Sequence, residues 1–364
     1  KLFVIIMEEN NKKVRVPFFV PEFTEEMKNA AVNALQNEKF VLGESVYKFE
    51  EEFAKYIGTK FATSVNSGNA ALHLSLLALG INNKSSVITS TNSFIAPANC
   101  ILMTGAKPIL CDIKPEDGNI DISSTDEKAD AIIPVHIYGN PCDFNSIRRM
   151  SEESKIPIIE DACQAHGAKY FGKKVGSLGD VGCFSFYPTK NMSVGGDGGM
   201  ITTNNEEIQS EVISLRDNGR KSHTTHDKLG FTMRLNTVNA AIGRIQLSHL
   251  DKRNIKRRKI AELYKKYLGE DYFLTENPDG FSVFHQIIFR HKNRDQIMEH
   301  LSKNGIGTAI YYRIPIHKQP LYSYLNLTLP ISEEFSNHVL TLPSYPQLSD
   351  DDVKFVCETI NQIL

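Results

Sequence analysis

Between residues 17 and 247 short apolar runs alternate with stretches of helical periodicity, and this alternation narrows the fold more than any other feature. A chain patterned in this way builds a parallel sheet whose crossover connections are helices. Apolar runs at 61–65, 86–90, 107–112, 131–136, 156–161, 182–186 and 200–203 predict the strands. Apolar residues at helical spacing over 25–36 and 47–57, together with the almost wholly apolar 69–79, predict helices. Several of the runs end directly in Gly, Asn, Asp or Ser. Open α/β sheets collect ligands at the carboxyl ends of their strands, so chemistry is expected in those post-strand residues.

The long helical period at 244–268 is followed by a change of rhythm, which places a boundary near residue 250. Residues 1–250 are therefore expected to form a large α/β domain, with residues 1–6 an upstream remnant outside the fold. Residues 251–364 are expected to form a smaller C-terminal α/β domain, with a strand at 281–289 and helices at 294–304 and 350–363. A length of 364 residues suits two such units. Forty-one Lys and Arg against 43 Asp and Glu leave a formal net charge of −2, so no bulk attraction to nucleic acid or anionic lipid exists. The basic run 252–259 reads as a solvated helix face. The apolar stretch 2–6 is too short for a signal-peptide core, and nothing approaches the ~20 apolar residues of a membrane span. The six cysteines lack CxxC spacing and clustered histidines, which points to reduced, buried thiols in a cytoplasmic protein and to no metal site.

The most informative segment runs from 156 to 203. Asp161 ends a buried apolar strand, where an unpartnered carboxylate is costly, so a cationic or donating partner is required. Lys190 follows another apolar strand, between Pro188 and a glycine-rich turn. A lysine and a strand-end aspartate on neighbouring strands suit pyridoxal 5′-phosphate (PLP). The amine bonds the cofactor, and the carboxylate holds the pyridine nitrogen protonated. A buried ion pair is the other reading of the same two residues. GGDGG at 195–199 lacks dinucleotide-fingerprint spacing and no GxxxxGK[ST] occurs, which disfavours nucleotide hydrolysis.

Ordered motifs then extend over nearly the whole chain: VPFFVPEFTEEM, KFVLGESVYKFEEEFAKYIGTKFATSVNSGNAALHLSLLALGI, TNSFIAPANCILMTGAKPILCDI, PVHIYGNPCD, EDACQAHGA, FSFYPTKN with GDGGM, RLNTVNAAIGRIQL, YYRIPIHKQP and LTLPSYPQLSDDDV. In these the chain resembles the DegT/DnrJ/EryC1/StrS family of PLP-dependent sugar-nucleotide aminotransferases. The resemblance implies a fold-type-I PLP-dependent transferase, with a central, mostly parallel sheet flanked by helices and a smaller C-terminal α/β domain. It implies that Lys190 is the Schiff-base lysine and that Asp161 is the partner of the pyridine nitrogen. Ser67, Gly68, Asn69 and Ser185 become phosphate ligands, although the family usually has Thr where this chain has Asn69. Phe94 matches the aromatic that stacks on the pyridine ring.

Gln164 matches the residue that hydrogen-bonds the cofactor's 3-hydroxyl. Many members that aminate C3 of the sugar have Gln there, and many that aminate C4 have His. Thr232 stands where the Gly-x-Asn-x-Arg segment has the Asn that reaches the neighbouring subunit's phosphate, while Arg234 is retained. The turn from His223 to His226 departs from the usual sugar-nucleotide loop, and Tyr311, Tyr312 and His317 resemble a sugar-facing segment. The implied protein is a cytoplasmic homodimer that moves an amino group from an amino acid, glutamate for preference, to a nucleotide-linked keto-deoxysugar, with a 3-keto sugar favoured. A 4-keto sugar or aminocyclitol aminotransferase is the near alternative, and a non-catalytic PLP-fold binding protein the distant one.

Overall fold

The computed structural model describes residues 14–364, so the expectation for residues 1–6 lies outside the described residues. Among the described residues the first helices are α1 (Glu25–Asn37) and α2 (Glu44–Ile57). Thr24 starts α1 by accepting from Met27 N–H at 3.2 Å, and Glu25 and Glu26 complement the helix dipole. Gly58, at φ 92°, ends α2 in the left-handed conformation that glycine adopts without penalty.

The central sheet contains β1 (Phe61–Val65), β2 (Ser86–Ser90), β3 (Lys107–Cys111), β4 (Ala131–Ile133) and β5 (Ile159–Asp161). After a small ribbon of β6 (Lys169–Tyr170) and β7 (Lys173–Lys174), it adds β8 (Val181–Ser185) and β9 (Gly199–Thr203). Strands β3, β2 and β4 pair in parallel, as do β5 and β8. Parallel bridges Ile132↔Ile158 and Val135↔Asp161 join the two sets, which gives the order β3-β2-β4-β5-β8-β9-β1. Strand β9 runs antiparallel to both of its neighbours, so the sheet is mixed by one strand.

Strand periodicity distributes the side chains. In β8, Cys183 and Val181 point into the layer packed by α3 (Gly68–Ala78), whereas Phe184 points to the layer of α2 with Phe49 and Phe53. Burying each of those phenylalanines contributes roughly 1.5–3 kcal/mol. Helix α3 is buried around most of its circumference, which accounts for its nearly continuous apolar sequence. Around the sheet lie α4 (Ala96–Met103), α5 (Phe144–Ser154), α6 (Glu206–Arg216) and the 32-residue α7 (Thr237–Leu268).

The expected boundary at residue 250 falls inside α7. The first half of this helix, with Ala240, Leu247 and Leu250, belongs to the large core, and Ile260, Tyr264 and Leu268 belong to the C-terminal core. Val16 also packs in the C-terminal core and forms a parallel bridge with Ile306. The expected strand at 281–289 is split. Its first part is β10 (Gly280–Phe281), paired with β6, and its last part is β11 (Ile287–Arg290). The residues between dock on the turn that follows β4, where Val283 N–H donates to Gly139 O at 3.0 Å and Gln286 N–H to Tyr138 O at 3.2 Å. The remaining α-helices and strands among the described residues are α8 (Arg294–Lys303), α9 (Pro330–His338), β12 (Val339–Leu342), which pairs antiparallel with β11, and α10 (Asp350–Asn361).

All six cysteines are free and buried. Among the described residues no cluster of His, Cys, Asp and Glu has the grouping to hold a metal, and no helix is long and apolar enough to cross a membrane.

Candidate active site

Strand β5 delivers two consecutive carboxylates to opposite faces of the sheet. Glu160 accepts from Gly176, Leu178 and Gly179 N–H, each at 2.7 Å, and lies 3.0 Å from His136 Nε2. Asp161 accepts from Cys163 N–H at 3.0 Å and borders a cavity of about 420 Å³. Burial raises its carboxyl above the ordinary range, a shift that the Cys163 hydrogen bonds and the charge of Lys190 oppose.

Lys190 reaches the same cavity from the turn after β8, where its N–H donates to Tyr187 O at 2.9 Å. Burial lowers its amine from the ordinary lysine value, against the pull of Cys163 and Asp161. A neutral amine is the form that can act as nucleophile and proton carrier.

Helix α3 begins at the cavity wall. Ser67 caps it by accepting from Ala70 N–H at 3.0 Å, while the N–H groups of Gly68 and Asn69 have no hydrogen-bond partner among the described residues. Gly68 fits closely here, since a Cβ would lie 2.7 Å from Ser185 Cβ and 2.9 Å from Cys163 Sγ. The helix N-terminus is thereby brought against Ser185, and the pair forms a cradle for an anion. Asn69 lines the same wall.

Gln164 is oriented by its neighbours. Its Oε1 accepts from Tyr138 N–H at 2.9 Å, and its Nε2 donates to Tyr312 Oη at 3.2 Å. Tyr138 can offer that N–H because it adopts φ 59° in the turn before Gly139. Phe94, 59% exposed, stands at the cavity mouth with Tyr311. An amine, an opposed carboxylate, an anion cradle and an aromatic face within one cavity fit PLP.

The structure thus brings together Ser67, Gly68, Asn69, Phe94 and Asp161 with Gln164, Ser185, Lys190, Tyr311 and Tyr312. Four expected residues lie elsewhere in this chain. The Thr232 hydroxyl donates to Asn218 Oδ1 at 3.1 Å in an exposed ribbon, and His223 lies on the exposed turn of that ribbon. Arg234 pairs with Asp217 and lines an adjoining cleft that shares Ser67 and Asp197 with the cavity. His317 does not face the cavity. It is buried, with Nδ1 2.6 Å from Thr91 Oγ1 and Nε2 3.2 Å from Glu333, and burial lowers its pKa.

Cys163, Tyr187, Asp197, His285 and Gln286 also line the cavity without having been expected there. Cys163 and Tyr187 lie in the EDACQAHGA and FSFYPTKN segments, yet neither residue type marks a role at a strand end. His285 carried no signal, because the pattern around it reads as the middle of a strand.

The sequence profile of the DegT/DnrJ/EryC1/StrS aminotransferase family matches residues 21–361. The chain belongs to this family. It is 38% identical to a pleiotropic regulatory protein of Geobacillus stearothermophilus, over 90% of this chain and 91% of that protein. It is 36% identical to the UDP-N-acetyl-3-dehydro-alpha-D-glucosamine 3-aminotransferase of Acidithiobacillus ferrooxidans, covering 91% of each chain. The structure of DesV from S. venezuelae in complex with a ketimine intermediate superposes with a TM-score of 0.89 at 34% identity, over 93% of this chain and 94% of that one. The fold is therefore the fold-type-I aminotransferase architecture, the protein is a PLP-dependent sugar aminotransferase, and its cofactor is PLP.

Proposed function

We propose that this enzyme transfers an amino group from an amino acid, glutamate for preference, to a nucleotide-linked 3-keto-deoxysugar. The observation that carries the reading is the convergence of Lys190, Asp161 and the Gln164 amide on one cavity beside the α3 N-terminus. When bound, PLP supplies a protonated pyridine ring that takes up the electron pair left as the donor loses its α-proton.

The protein supplies the rest. Asp161, held in a site that disfavours its charge, presents its carboxylate to the pyridine N–H. The first turn of α3, Ser67 and Ser185 would hold the phosphate and so keep the cofactor beside Lys190. Phe94, at the cavity mouth, would cover one face of the ring. Lys190 would bond the cofactor between turnovers and, once the incoming amino acid had taken its place, would as a free amine move the α-proton. Release of the 2-oxo acid would take up a water that uptake of the keto-sugar's carbonyl gives back, and Lys190 would move its proton in the opposite direction before bonding the cofactor again as the amino-sugar departs. One site serves both halves, so ping-pong kinetics are expected.

Gln164 supports the 3-keto assignment. Its Oε1 is occupied by Tyr138 N–H, which directs the amide N–H₂ toward the cavity side and Tyr312. The 36%-identical A. ferrooxidans relative, whose name records 3-amination, also supports it. Thr232, Arg234 and His223 are proposed to serve the site of a partner subunit in a homodimer, and the enzyme is proposed to work in the cytoplasm. We further propose two structural units centred on the two cores, with α7 shared between them. A panel of 3-keto and 4-keto nucleotide sugars tests the function. Only a 3-keto sugar is expected to regenerate the aldehyde form of the cofactor from its amine form, and regeneration by 4-keto sugars alone would overturn the assignment.

A further inference from the structure

Residues 191–197, which follow Lys190, make no main-chain hydrogen bonds with one another among the described residues. Beyond the Lys190 N–H bond to Tyr187 O, the lysine turn therefore rests on side-chain contacts, and those of Asn191 are the most developed. The Asn191 Nδ2 group donates to Asn254 Oδ1 at 3.0 Å and to Val283 O at 3.1 Å. Asn191 Oδ1, left as the acceptor, lies 3.1 Å from His285 Nδ1, so that ring nitrogen carries the proton. His285 Nε2 is then the lone-pair nitrogen, and the Gln286 amide nitrogen sits 3.4 Å from it.

His285 is 5% exposed and lines the cavity with Lys190. Its main chain is pressed against the turn that orients Gln164, for a Cβ on Gly139 would lie 2.9 Å from His285 N and 3.0 Å from Gln164 O. The segment 282–286 thus touches the lysine turn on one side and the Gln164 turn on the other. Burial, followed by the charges of Lys190 and Arg257, holds the imidazole neutral.

We propose that His285 is a positioning residue for Lys190: its Nδ1–H, held on Asn191 Oδ1, fixes the turn that aims the lysine amine into the cavity. The inference rests on the reading of Lys190 as the residue that bonds PLP, and it adds the group that holds that amine in register.

Side-chain geometry supplies the test. The amide nitrogen of Asn occupies the place of an imidazole Nδ1, whereas that of Gln occupies the place of Nε2. Cofactor-free wild type, H285N, H285Q and H285F would each be mixed with PLP, and covalent attachment followed by visible absorption, with thermal unfolding measured in parallel. H285N is expected to attach PLP at close to the wild-type rate. H285Q and H285F are expected to be slower by roughly 10- to 100-fold, the scale of an ångström-level misplacement. A merely structural role would lower the unfolding temperature without changing the rate per folded molecule. Should H285F not fold, the contrast between H285N and H285Q decides alone. Equal rates in H285N and H285Q, or an H285N as slow as H285Q, would overturn the proposal. A wild type that attaches no PLP at Lys190 would overturn the functional reading as well, and the two failures are told apart by the wild-type sample.

Discussion

Glu160 and Asp161 are consecutive carboxylates on one strand, yet they occupy regions of opposite character. Around Glu160 three main-chain N–H groups and an imidazole converge, and its oxygens are fully engaged with the protein. Around Asp161 one main-chain donor is recorded, and the carboxylate borders open space shared with Lys190. Both are buried. What separates anchoring from chemistry is therefore how many of the group's bonds the fold leaves free, and burial alone does not reveal it.

Substitution at the two positions should separate activity from stability. D161N is expected to fold while losing roughly 10²- to 10³-fold or more in the rate at which glutamate converts bound PLP to its amine form, since a developing charge loses its counterion. Stopped-flow absorbance measures it, and a near-wild-type rate would erase the contrast. E160Q is expected to keep its rate per folded molecule and to lose about 3–5 kcal/mol of stability, the scale of breaking a buried, charge-assisted cluster. Urea unfolding measures this, and an unchanged midpoint would count against the anchoring role.

A pH series sharpens the same comparison. In the cofactor-free protein burial raises the Asp161 pKa above its ordinary 3.8, so the folded form binds a proton that the unfolded chain releases between the two values. Stability falls as pH rises through that window, and the Asn variant lacks this loss. Cofactor-free D161N should match wild type below the window and exceed it at neutral pH. An Asn variant less stable than wild type at neutral pH would show that the charged Asp161 is stabilised by partners the geometry does not contain.

The smallest effect concerns His317. H317Q is expected to cost about 1 kcal/mol through its contacts with Thr91 and Glu333, with the KM for sugar unchanged. A raised KM with unchanged stability would return His317 to the sugar site.

Much of the sheet was legible, because strand runs and turn residues are local signals. Asp161 and Lys190 stand out for the same reason, each being a polar residue after an apolar run; that pattern alone leaves a buried ion pair open, and the structure places both on one cavity. The strand at 281–289 was misread, since its interruption depends on hydrogen bonds to Tyr138 and Gly139, which lie more than a hundred residues away. The boundary at 250 cut a helix whose periodicity continues unbroken, and the place of Val16 in the distant C-terminal core left no local trace. His317 looked sugar-facing by resemblance, yet it turns inward to satisfy Thr91. The role proposed for His285 depends on a ring partner, Asn191, that lies 94 residues away in sequence, so no local pattern carries it.

The most direct test of the account is where PLP attaches and whether an amino acid changes it. Purified protein with PLP would be examined by visible absorption before and after glutamate, reduced with borohydride, and digested to locate the label, with Lys190→Ala alongside. The account predicts an absorption band that glutamate removes, the label on Lys190, and neither in the variant. Absence of the band at saturating PLP, or a label on another lysine, would contradict it.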